Sequence, residues 1–248
     1  MVYRNGYITA AVLLILEVIL VTTPFLILQS VFEFPDILRK PASDVFELFQ
    51  SRKSVIIPTY YIFMLSGLLL IPLSLAVHHL LKVNAESSML LSVTTGFGVS
   101  AGIAQILGFI RWPFLIPYLA DTYLSSTATA ATKEAVVVVY ETFNRYAGMA
   151  VGEHLGWVLL GIWLVGISML QIKSTLFKKG VGLLGLLSGL GLIVSAFEQL
   201  AGALAPTFAS LNIAANWLMV AWLLISAGFL LFAKSGTPLK KANGVPIR

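Results

Sequence analysis

A chain of 248 residues with 58% hydrophobic and only 11% charged side chains and a mean hydropathy of +0.92 is too apolar for a soluble domain and reads as an all-α, polytopic membrane bundle. Its formal charge of +5 comes without a Lys/Arg stripe interleaved with aromatics, so nucleic acid is excluded as a partner and the basic excess becomes a topology signal. The absence of cysteine excludes disulfides, thiolate nucleophiles, Cys-ligated zinc and iron–sulfur clusters.

Crossing a bilayer takes about 20 apolar residues, and six stretches reach that length: residues 7–29, 55–81, 88–110, 148–171, 180–205 and 212–232. They predict a single six-helix transmembrane domain over residues 1–233, followed by a cytoplasmic tail, 234–248. The first span follows Arg4, but it is too long for a signal-peptide core and lacks a small-x-small cleavage site, so it reads as uncleaved. It carries Glu17. Residues 30–54 then form an outer segment in which Val45, Phe46, Leu48 and Phe49 suggest short interfacial helices. The second span has Tyr60 and Tyr61 at its outer end and His78, His79 and Lys82 at its inner end.

The third span repeats Ser92, Gly96, Ser100, Ala104 and Gly108 every four residues, a stripe of small side chains that lets another helix approach closely. Gln105 lies beside it. The long segment that follows opens with Arg111, Trp112, Pro113, Pro117 and Tyr118, residues suited to a membrane boundary. Its second half, 131–146, places Glu134, Glu141 and Arg145 on one helical face and Val136, Val139, Tyr140 and Phe143 on another. This predicts an extra amphipathic helix between spans three and four, lying across the outer mouth. The fourth span begins with Gly152-Glu153-His154. The fifth has Gly185-x-x-x-Gly189 and Gly191-x-x-x-Ser195, then Glu198-Gln199, and the sixth opens with the i,i+4 pair Asn212 and Asn216.

Counting Lys and Arg in the short flanks favours both termini in the cytoplasm. On that topology, with about 1.5 Å of depth per residue, Gln105, Glu153, His154, Glu198, Gln199 and Asn216 all fall in the outer half, Arg111 sits at the outer rim as a counter-charge for Glu153, and Glu17 alone is near the midplane. Charges at membrane depth are costly and normally face a bundle interior or a wet cavity. The expected site is therefore an outward-facing polar cavity lined by Glu17, Gln105, Arg111, Glu153, His154, Glu198, Gln199 and Asn216. Three uses of it stay open: hydrogen bonds that fix helix register, proton-linked or ligand binding, and acid/base chemistry by Glu153 or Glu198 with His154.

No metal site is expected, because Glu153 and His154 are adjacent and point about 100° apart on a helix. His78 and His79 lie at the opposite membrane face from His154, which argues against a bis-histidine haem. No Walker A loop, GxSxG elbow or HExxH pair occurs. The sequence assigns neither a catalytic residue nor a cofactor.

Four segments carry a family resemblance: Phe34-Pro35-Asp36-Ile37-Leu38-Arg39-Lys40-Pro41, Leu107-Gly108-Phe109-Ile110-Arg111-Trp112-Pro113-Phe114-Leu115, Gly152-Glu153-His154-Leu155-Gly156 and Phe197-Glu198-Gln199-Leu200-Ala201-Gly202. Together they resemble the bacterial membrane family catalogued as domain of unknown function four-three-eight-six, over most of residues 5–232. The resemblance implies a six-helix protein of the bacterial inner membrane and carries over no activity, substrate or catalytic residue.

Two functional expectations follow. In the first, the cavity binds a small lipophilic or protonatable ligand, with membrane lipids as the surrounding partners. In the second, the protein is a structural or accessory subunit whose small-residue faces dock another membrane protein or a second copy. Strict transport is weakened because spans one to three and four to six show no matching broken helices.

Overall fold

The computed structural model of the chain describes residues 2–82, 88–174 and 176–233; the expected cytoplasmic tail, 234–248, lies outside the described residues. Among the described residues nine α-helices follow in order: α1 (Val2–Phe32), α2 (Ala42–Lys82), α3 (Ser88–Phe109), α4 (Arg111–Phe114), α5 (Ile116–Tyr123), α6 (Ala130–Phe143), α7 (Gly156–Lys173), α8 (Lys179–Ser195) and α9 (Ala205–Leu231), with a π-helix, Asn144–Leu155, joining α6 to α7. Short 3₁₀ turns occupy Asp36–Arg39, Glu198–Leu200 and Gly202–Leu204. No strand occurs among the described residues. Six helical runs among the described residues are long and apolar enough to cross a membrane, which establishes the all-α membrane architecture.

Two segments between the spans differ from the sequence reading. Residues 42–54 are not separate interfacial helices but the first turns of α2, which runs 41 residues without interruption. Arg52 and Lys53 end a hydrophobic window, yet both are good helix formers and give the backbone no reason to stop. Val45, Phe46 and Phe49 are buried core residues instead of membrane-surface contacts. Likewise the amphipathic helix forms, as α6 with Thr129 accepting from the Thr132 backbone N–H as its N-cap, but it continues through the π-helix into α7. Its buried face is Val136 and Tyr140, while Val139 and Phe143 are exposed.

The chain packs as two compact units. Of the described residues, the first takes those within 1–18, 68–103 and 154–233, and the second takes 19–67 and 104–153. In the first unit, α8 packs on both α7 and α9. Gly161 and Gly189 allow the α7–α8 contact: a Cβ on Gly161 would stand 2.6 Å from the Gly189 carbonyl oxygen, and one on Gly189 2.8 Å from that of Gly161. Gly185 leaves space for the Trp222 indole, and Gly191 faces Ala215 of α9. The fifth-span glycines are thus spent on helices of the same chain. The third-span repeat behaves differently, since Ser92, Gly96 and Ser100 are exposed and a Cβ on Gly96 would meet nothing within 4 Å. Gly98, off that stripe, is the residue pressed against Ser74 and Trp163.

The second unit has its own core of Leu28, Phe32, Ile37, Val45, Phe46, Phe49, Ile56, Tyr60, Trp112, Leu119 and Tyr140, among others. Aromatic pairs knit it together. Tyr60 stacks on Trp112 at 4.7 Å between ring centroids, and Phe63 on Phe109 at 4.2 Å. Phe32 meets Trp112 edge-on, and Phe46 meets Tyr140 at 5.1 Å.

Candidate functional site

The second unit holds a buried cation. Arg111 opens α4 and is only 7% exposed. One terminal nitrogen donates to the Gly108 carbonyl, the other donates to Asn144 Oδ1 at 3.2 Å, and Nε has no partner among the described residues. Its guanidinium lies 5.4 Å from the Trp112 ring centroid. Gly148 of the π-helix makes this placement feasible, because a Cβ there would stand 2.7 Å from Arg111 Cζ. Gly108 and Gly152 allow a second close approach, with a Cβ on Gly108 only 2.8 Å from Gly152 Cα.

Two phenols share this interior. Tyr60 and Tyr140 are fully buried, and neither hydroxyl has a hydrogen-bond partner among the described residues. Both lie within electrostatic reach of Arg111, as does Glu153. An unpaired buried donor costs about 1–3 kcal/mol, and Arg111 Nε and the two hydroxyls are three such donors among the described residues.

The rim of the site is polar and half-exposed. Glu153 pairs with Arg39 through Oε2 at 2.6 Å and Oε1 at 3.4 Å. The expected Glu153–Arg111 pair is thus replaced by Glu153–Arg39, because the 3₁₀ turn carrying Arg39 reaches the π-helix. Asn144 reinforces that contact by donating to the Leu38 carbonyl at 3.2 Å. The same loop is closed by a hydrogen bond from Lys40 to Glu33, which raises the lysine's pKa. Gln105 of α3 is buried in this unit. The family model described as Domain of unknown function (DUF4386) matches residues 8–233, and so covers all of these groups. The chain belongs to that family. No curated protein and no solved structure matches it.

The other five expected residues of this DUF4386 chain belong to the first unit. Glu17 is buried in α1, and its Oε2 has no hydrogen-bond partner among the described residues. His154 Nδ1 lies 2.7 Å from the Ala196 carbonyl; a carbonyl only accepts, so Nδ1 carries a proton. Its ring stands edge-on to Phe197 at 5.1 Å, next to the half-buried Glu198 and Gln199 of the following 3₁₀ turn. Asn216 donates to the side chain and carbonyl of Asn212, which donates to Ser195 Oγ at 3.0 Å, so these amides link α9 to α8.

Some participants escaped the sequence reading. The sequence singles out no role for Asn144, places Tyr140 on a helix face and Arg39 in a loop, and groups Tyr60 with Tyr61, which is 45% exposed. The buried node in which Trp222 Nε1 donates to Gln171 Oε1 at 2.7 Å and Gln171 Nε2 donates to Ser226 Oγ at 3.3 Å was not anticipated either. The one available signal was the arginine itself. A cation in an apolar span requires donors' partners and glycine-made space nearby, and Gly108, Gly148 and Gly152 supply that space. Among the described residues no group of three or more His, Asp or Glu side chains could hold a metal ion.

Proposed function

We propose that this protein binds a small lipophilic ligand drawn from the membrane, in the Arg111-centred interior of its second unit. The observation that carries the reading is the coincidence of three unpartnered buried donors, Arg111 Nε, Tyr60 Oη and Tyr140 Oη, with a wall of stacked aromatics. Aromatic walls with a few convergent polar groups are the usual make-up of a ligand site. The Arg39–Glu153 and Asn144–Leu38 contacts tie the 3₁₀ turn to the π-helix beside Arg111 through polar links. We also propose a bacterial inner-membrane location with both termini in the cytoplasm, supported by the Lys/Arg distribution in the short flanks.

The test is native mass spectrometry of the full chain purified in mild detergent. One amphiphile per chain is expected, lost or weakened in the double variant Tyr60→Phe/Tyr140→Phe, which removes only hydroxyls that bond nothing among the described residues. A wild-type chain that carries and takes up no amphiphile overturns the reading.

An accessory-subunit reading keeps one supporting observation, the exposed small-residue face Ser92, Gly96 and Ser100 of α3. Replacing Gly96 by Leu would break such a contact without touching the Arg111 site, so co-purification of a partner that this variant loses favours it.

A further inference from the structure

We propose that the ligand of the Arg111 site has an oxyanion head, a carboxylate or a phosphate, bound by Arg111 together with the Tyr60 and Tyr140 hydroxyls. This rests on the ligand-binding reading above and names the chemistry it recognises. Inside the second unit the charged groups within electrostatic reach of Arg111 are Arg39 and Glu153. Glu153 is bound at 2.6 Å to Arg39.

Among the described residues the hydrogen-bond acceptors of Arg111 are neutral, the Gly108 carbonyl and the Asn144 amide oxygen. A buried cation with neutral partners is costly, and a counter-anion at short range is what relieves it. The unused groups match that need. Nε–H of a guanidinium donates and never accepts, and a phenol near a guanidinium presents its O–H outward as a donor. Charge-assisted bonds from such donors to carboxylate or phosphate oxygens are about twice as strong as neutral ones. The Asn144 carboxamide already stands where one oxygen of such a head would go, with its Oδ1 on Arg111 and its Nδ2 on the Leu38 carbonyl. Displacement of Asn144 from Arg111 admits the head. The Tyr60, Trp112, Phe109 and Phe63 rings then receive the apolar part.

The proposal is tested by binding of head-group probes on one chain length to the full-length protein in detergent, read by thermal shift and isothermal titration: lauric acid, dodecyl phosphate, dodecanol and dodecylamine, with inorganic phosphate alone as the chain-free arm. The acids are expected to bind at least about tenfold more tightly than the alcohol and the amine, and Tyr60→Phe/Tyr140→Phe is expected to remove about tenfold of that preference. Arg111→Gln is expected to remove all of it. Should Arg111→Gln fail to fold, the tyrosine double variant carries the test alone. Binding of inorganic phosphate as tight as that of dodecyl phosphate identifies a free anion as the source, and binding only with the chain identifies an amphiphile. Equal binding of alcohol and acids overturns the oxyanion head while leaving the ligand reading intact; no binding by any probe overturns both.

Discussion

Gly148 is where a single missing methyl decides the site. A Cβ there would stand 2.7 Å from Arg111 Cζ, and the guanidinium cannot retreat without giving up Asn144 and Gly108. Gly148→Ala is therefore expected to destabilise the protein by about 1–3 kcal/mol, the usual cost of overpacking, read as a lower thermal midpoint in detergent. Glu153→Gln serves as the contrasting case. Its partner Arg39 is 35% exposed and Glu153 itself 25% exposed, so solvent screens the pair and the expected loss is under about 1 kcal/mol. If Glu153→Gln proved the more damaging of the two, the rim and not the buried guanidinium would be the structural keystone of this unit.

At the scale of elements, glycine divides into two kinds that sequence spacing does not separate. Gly161 and Gly189 let the backbones of α7 and α8 touch, whereas Gly96 faces open space. Gly161→Ala is expected to cost about 1–3 kcal/mol because backbone atoms must shift. Gly96→Ala is expected to be neutral or to stabilise by up to about 1 kcal/mol through helix propensity alone. Unfolding in a graded detergent series compares them directly, and equal effects would contradict the packing described for α7 and α8. The same scale shows why the helical boundaries were misread. Hydropathy registers where lipid ends, but a helix ends only where its backbone is broken, so Arg52 and Lys53 closed the span while α2 went on. The run from α6 through the π-helix to α7 shows the same effect, with Gly148 and Gly152 absorbed into helix rather than ending it.

At the scale of the whole molecule, the absence of native cysteine makes topology directly measurable. Ser126 lies in the turn between α5 and α6 and Lys178 immediately precedes α8, and both are exposed. With both termini cytoplasmic, Ser126→Cys is expected to react with a membrane-impermeant maleimide on intact cells, and Lys178→Cys only after the cells are opened. The reverse pattern would invert the orientation and move the Arg111 site to the cytoplasmic half.

The sequence alone determined the membrane class and the number of spans, because lipid imposes a hydrophobic length on every segment that crosses it and that constraint is local; its motifs carried the family. It also marked Glu17, Arg111, Glu153 and His154 as costly groups needing partners. Who the partners are was decided only in three dimensions. Arg39 meets Glu153 across 114 residues of chain and Asn144 meets Arg111 across 33, and no periodicity reports which of several nearby cations a carboxylate will reach. The tertiary structure also turned Tyr60 inward and Tyr61 outward, joined α6 to α7 through a π-helix, and placed Gly148 against a guanidinium. Those are consequences of helix phase and close packing, which depend on neighbours that the linear order does not name.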